Sequence, residues 1–108
     1  MNLPTEIFGE VIVVHTPEEV GADQADRLEH CLTTLERYKV VVDLDGTEQL
    51  DSAGLTLLLN SQEALRALDG DLKIATANAT NRKILEVTRL DQQLEVFDAM
   101  IDAVKSFA

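Results

Sequence analysis

The chain has one cysteine, two prolines, five glycines, no tryptophan, and only one tyrosine and three phenylalanines in 108 residues. A single thiol, Cys31, cannot close an internal disulfide or build a sulfur-rich metal site, so a reducing compartment is expected and no metal centre. So few prolines and glycines leave no linker or low-complexity segment, and no repeat divides the sequence, which predicts one domain over residues 1–108. Positive charge is also scarce: 9 basic residues stand against 20 acidic ones, a formal net charge of -11. Such a field repels phosphate backbones and anionic lipid, so neither nucleic acid nor a membrane surface is expected as a partner. No apolar run approaches the ~20 residues that span a bilayer, and the amino terminus lacks a basic segment followed by an apolar one. A cytoplasmic protein without membrane insertion is the expectation. What is abundant is core material: 45% hydrophobic residues against 27% charged, enough to fold alone.

Val11 to Val14 and Val40 to Val42 are continuous β-branched runs, the pattern of strands covered on both faces. Leu72 to Ala75 and Leu94 to Phe97 predict further strands nearer the sheet edge. Between them lie helical patterns. Ala25, Leu28, Leu32 and Leu35 form one amphipathic stripe, opposite Asp26, Arg27, His30, Thr33 and Arg37. Gly54, Leu58, Leu65 and Leu68 mark a second helix, ended at Asp69-Gly70-Asp71, where Gly70 suits the positive-φ position. Ile84 and Val87 mark a third, preceded by the capping residues Asn78, Thr80 and Asn81, and Ala99, Met100, Ala103, Val104 and Phe107 mark a fourth. Alternating strands and helices imply right-handed crossovers. An opening hairpin around Gly9, from Glu6 to Val14, adds an antiparallel pair. The fold class is therefore α/β, with a mixed, mostly parallel sheet of four to five strands and about four helices.

The most informative segment runs from Val40 to Leu59: a buried strand, the polar loop Asp43-Leu44-Asp45-Gly46-Thr47, then a helix opening at Asp51-Ser52-Ala53-Gly54. Two readings compete. Asp43 to Thr47 resembles the opening motif of haloacid-dehalogenase-type phosphatases, in which one aspartate attacks phosphorus and the second acts as acid/base. Such an enzyme also needs a later Ser or Thr, a Lys and an acidic pair to hold magnesium. Only 61 residues follow Thr47, Asp69 and Asp71 come too soon to be that pair, and Glu48 replaces the usual apolar residue.

The second reading covers far more of the chain. From Val41 to Leu55 the sequence resembles, without a gap, the signature of STAS domains, with Asp43-Leu44-Asp45-Gly46 and Asp51-Ser52-Ala53-Gly54-Leu55 in the family's places. Lys83 to Leu90 is similar to the family's third helix and its Thr-Gly-Leu ending. The resemblance implies a single STAS-like domain of the anti-sigma factor antagonist kind, and a regulator instead of an enzyme. It implies that Ser52 is phosphorylated by a serine kinase of histidine-kinase-like ATPase fold that is also an anti-sigma factor, with a serine phosphatase to reverse it. The unphosphorylated form would bind that kinase and free the sigma factor. The implied partner surface is Asp51, Ala53, Gly54, Leu55, Thr56 and Leu59, with Glu19 and Asp23, on a monomer or weak dimer that needs no cofactor. Within the same family, the alternative is an unphosphorylated adaptor of a lipid-transport ABC complex.

The chemistry of Ser52 supports the switch independently. A serine at a helix start offers its hydroxyl beside unpaired N–H groups and the positive end of the helix dipole. Phosphate there adds roughly -1.5 to -2 charge to the surface without forcing an internal rearrangement. Asp51 or Ser52 also caps the helix, and capping is compatible with phosphorylation.

Several residues depart from the family pattern. Ala53 removes the second hydroxyl, and Arg89 stands where the family has a glycine, at a position that wants positive φ. The turn before the first helix falls near Glu18-Glu19-Val20-Gly21 and lacks the family's aspartate unless Asp23 substitutes. Leu55 and Leu59 lie about 100° around from the helix stripe, where they either form an apolar patch beside Ser52 or are covered by a neighbouring helix. His15 and His30 are too far apart to suggest a metal pair and read as solvated, and Cys31 reads as a small packing residue. The acidic excess is a solvated surface that also suits a basic patch on a partner.

Overall fold

A computed structural model of the chain describes residues 2–108. Strands β1 (Thr5–Phe8) and β2 (Val11–His15) form the expected antiparallel hairpin, turning at Gly9. β4 (Lys39–Asp43) and β6 (Asp71–Ala75) then join β2 in parallel, and the two-residue β7 (Val96–Phe97) closes the far edge. The order is β1-β2-β4-β6-β7. A separate parallel ladder pairs β3 (Glu19–Val20) with β5 (Gln49–Leu50). The helices are α1 (Ala25–Thr33), α2 (Ser52–Arg66), α3 (Ala79–Val87) and α4 (Met100–Lys105), with a 3-10 turn at Leu90–Gln92. None among the described residues is long and apolar enough to cross a membrane.

Both faces of the sheet are covered, which is why the valine runs do not alternate with polar residues. Ile12, Val14, Val40, Val42, Leu72 and Ile74 face one way and pack with Leu28 and Leu32 of α1, Leu58 and Leu65 of α2, and Leu85 of α3. Val11, Val13, Val41 and Ala75 face the other way, against Ala103, Met100, Val104 and Phe107. Removing one of the fully buried leucines would cost about 2–5 kcal/mol. On this second face Lys73 is also buried; its Nζ donates to the Ser106 hydroxyl at 2.8 Å and lies 4.3 Å from the centre of the Phe107 ring.

Four local expectations are corrected. Gly70 does not take the positive φ after α2; Asp69 does, at 64°. Gly70 is needed for a different reason, because a Cβ there would collide with the Tyr38 carbonyl at the start of β4. The fourth apolar piece forms a strand only at Val96–Phe97, since Leu94 turns into the core. Val87 is exposed, and Leu85 with Asn81 provides the buried face of α3. Leu68 lies beyond the end of α2 and is exposed as well.

Candidate functional site

Asp43 ends β4 at the carboxyl edge of the sheet, and the loop that follows is held from three sides. The Leu44 amide donates to the Ala75 carbonyl at 2.9 Å, extending the β4–β6 ladder by one residue. The buried hydroxyl of Thr47 donates to the Pro17 carbonyl and meets the Thr16 hydroxyl, both at 2.6 Å. Asn81, at 1% exposure, donates from its amide to the carbonyls of Leu44 (3.1 Å) and Thr47 (2.8 Å). The first turn of α3 therefore clamps the loop that leads to α2.

The two aspartates of the loop act as backbone ties. Asp43 Oδ1 accepts from the Asp45 amide at 2.9 Å, and Asp45 Oδ1 accepts from the Ala77 amide at 2.6 Å. The other Asp43 oxygen lies 2.9 Å from His15 Nδ1. His15 is thus engaged and half-buried, which corrects the expectation of a solvated side chain; His30 is exposed as expected.

Asp51 is the N-cap of α2. Its Oδ1 accepts from the Gly54 amide at 3.0 Å, and its Oδ2 accepts from the Ala22 amide at 3.2 Å. The Gly54 bond is the main reason that the carboxyl is held below the ordinary aspartate range; its partial desolvation opposes this, and the Ala22 and Ala53 amides add to it. The second bond ties the Gly21-Ala22 turn to the start of α2, so the two segments form one surface.

Ser52 is the first residue of α2 and is exposed. Its hydroxyl makes no hydrogen bond among the described residues, whereas its carbonyl accepts from the Thr56 hydroxyl at 2.9 Å. Ser52, Ala53, Thr56 and Asn60 line one wall of a groove of about 290 Å³, and Asp26 and Glu29 of α1 line the other. Glu19 opens on a neighbouring hollow with Glu48 and Asp51. Asp23 is exposed on the turn before α1.

The expected partner residues therefore separate into two groups. Asp51, Ser52, Thr56, Glu19 and Asp23 are exposed and Ala53 is half-buried. Gly54 and Leu55 are buried, and Leu59 is half-buried against the core, so the two leucines form no apolar patch beside Ser52. The reason is girth: α2 packs on α1 and on β6, its Gly54 lies under Val20 and its Gln62 donates to the Gln93 carbonyl, so a leucine about 100° from the stripe still meets protein. Gly54 is covered by the Val20 carbonyl. Sequence reasoning missed the clamping role of Asn81, which it read as a capping residue, and that of Thr16 and Thr47. It also missed the bridge at His15.

A search of curated protein sequences returned no match. Among solved structures, the fold is similar to an anti-sigma factor antagonist from Mycobacterium paratuberculosis, at 24% identity and a TM-score of 0.85, covering 97% of this chain and 92% of that one. It is similar to the Bacillus cell fate determinant SpoIIAA in its phosphorylated form, at 16% identity and 0.71, covering 99% and 100%. It is also similar to a sulfate transporter family protein from Wolinella succinogenes, at 18% and 0.76, covering 94% and 87%. The family model for the STAS domain matches residues 2–103, and with the signature loop and the helix it leads to in place, the chain belongs to the STAS domain family.

Proposed function

We propose that the protein is a phosphorylation-switched anti-sigma factor antagonist with Ser52 as its phosphoacceptor. The observation that carries this reading is the position of Ser52: exposed, with a hydroxyl free of internal hydrogen bonds, on the first turn of a 15-residue helix and at the mouth of the α1–α2 groove. The partner is a serine kinase of histidine-kinase-like ATPase fold that also holds a sigma factor. Unphosphorylated protein docks on it through Asp51, Ser52, Ala53 and Thr56, with Glu19 and Asp23 alongside, and releases the sigma factor. Phosphate on Ser52 enters a groove already walled by Asp26 and Glu29 and beside the Asp51 carboxylate, so it changes the surface by charge and desolvation. A serine phosphatase restores the binding form.

The protein in this reading is a cytoplasmic regulator. Asp43 and Asp45, the pair a dehalogenase-type phosphatase would use, are engaged with amides and with His15, which supports a structural role for them. The second reading is a constitutive adaptor of a lipid-transport ABC complex that docks the same helix on its ATPase; the fold it shares with a sulfate transporter family protein is compatible with a transport setting.

Phosphosite mapping by mass spectrometry, on protein isolated from its host with and without phosphatase treatment, separates the two. Phosphate on Ser52, absent from Ser52→Ala, is the expected result. An unmodified Ser52 across growth and stress conditions, with an ATPase subunit co-purifying, would overturn the switch in favour of the adaptor.

A further inference from the structure

Strands β1, β2 and β4 bring three titratable side chains together on the α4 side of the sheet. His15 is level with Asp43 across the parallel ladder, and Glu6 is level with Val13, two residues before His15 on the same face. His15 Nε2 lies 2.9 Å from Glu6 Oε1, and His15 Nδ1 lies 2.9 Å from Asp43 Oδ2. Both ring nitrogens therefore face a carboxylate oxygen. A neutral imidazole has one N–H and satisfies one of these contacts, leaving a lone pair against an anionic oxygen at the other. Only the imidazolium donates to both.

We infer that His15 is a protonation-dependent latch that fastens the edge strand β1 to the last residue of β4, from which the loop leading to Ser52 departs. This inference does not depend on the phosphorylation reading. β1 pairs only with β2, so the bridge adds a polar tie from β1 through His15 to Asp43 of β4, beside the packing of Phe8 on the second face. On the other side, Asp43 passes the tie to the Asp45 amide, and Asp45 passes it to the Ala77 amide ahead of α3. When the ring loses a proton, Nδ1 keeps its bond to the less exposed Asp43 and the more exposed Glu6 is released.

The surroundings leave few other groups to interfere. Glu6 and Asp43 are the only carboxylates within 4.0 Å of the ring nitrogens among the described residues. The positions level with Asp43 on β6 and β7 are Ala75 and Phe97, which carry no charge. Asp45 is turned to Ala77, and Asp98 lies 2.7 Å from an Arg82 nitrogen. The latch is closed while the ring carries both protons and opens when it gives one up.

Nitrogen-detected NMR of the ring-labelled full chain tests this, with the exposed His30 as internal reference. At about pH 5.5 both His15 ring nitrogens should carry protons, and at about pH 8 only Nδ1 should. Amide exchange of β1, corrected for its intrinsic pH dependence, should speed up roughly two- to fivefold over the same interval. Glu6→Gln, which alters only the exposed end of the bridge, should remove that step. A ring found as a single neutral tautomer at about pH 5.5 would overturn the latch, as would a β1 exchange step identical in wild type and Glu6→Gln.

Discussion

The Asp51 carboxylate and the Cα of Gly21 are packed so closely that a Cβ at position 21 would lie 2.6 Å from Asp51 Oδ2. The same oxygen receives the Ala22 amide. A side chain at position 21 would therefore push the cap of α2 out of place, although it is 30 residues away in sequence. Gly21→Ala should lower the thermal midpoint by roughly 4–8 °C, the scale of a lost helix cap in a domain of this size. Differential scanning calorimetry reads it, and a midpoint within 1 °C or so of wild type would mean that Asp51 adapts freely.

The charge on Asp51 also gives the cap a pH dependence. Because its amide bonds hold the carboxyl below the ordinary range, its contribution is complete above that range and fades as pH falls through the depressed value. Asp51→Asn keeps an acceptor for Gly54 but has none left for Ala22. The gap in thermal midpoint between wild type and Asp51→Asn should be widest near neutrality and should narrow below about pH 4. A gap that is constant with pH would assign the cap to hydrogen bonding alone.

Asn81 is the clamp on the signature loop, and its removal should be felt there first. Asn81→Ala leaves the buried Thr47 carbonyl without a donor and the Leu44 carbonyl with the Thr47 amide alone, a loss of about 1–3 kcal/mol of stability. Urea unfolding measures the total. Hydrogen exchange should show the earliest loss of protection at the Leu44 and Thr47 amides, ahead of β2; uniform loss would make Asn81 a general core residue.

Ser52→Asp should weaken binding to the partner kinase by at least tenfold while leaving the thermal midpoint nearly unchanged, because the exposed first turn of α2 tolerates negative charge. Ser52→Ala should bind as wild type does and accept no phosphate. Titration calorimetry with the kinase checks both, and equal affinity of Ser52→Asp and Ser52→Ala would remove phosphate charge as the switching element.

The features legible in the sequence were those whose cause is local. The valine runs, the turn at Gly9 and the caps at Asp51 and Asn78 each rest on neighbours within a few residues. The features that escaped it have distant causes. Gly70 looked like a helix-ending glycine, but the group that requires it is the Tyr38 carbonyl, brought there by strand pairing. Leu55 could be read either way from the helix period alone; its burial comes from the main core cluster, assembled from segments far apart in sequence. His15 could not be read as a bridge, since Glu6 and Asp43 reach it only through the register of two different strand pairs.

Arg89 combines both kinds of information. Its φ of 61° confirms the left-handed turn expected where the family has glycine, and no compensating bond from its side chain exists among the described residues. A left-handed conformation costs an L-residue about 1–2 kcal/mol, and a glycine costs roughly 0.5–1 kcal/mol through the freedom it adds to the unfolded chain. Arg89→Gly should therefore stabilise the protein by roughly 0.5–1 kcal/mol, with an unchanged denaturant slope. Asp69→Gly, at a φ of 64°, should gain less, because a short polar side chain tolerates this region better than arginine does. Urea unfolding of the two variants side by side tests the ordering; a greater gain at Asp69 would show that the left-handed turn at Arg89 is not under backbone strain.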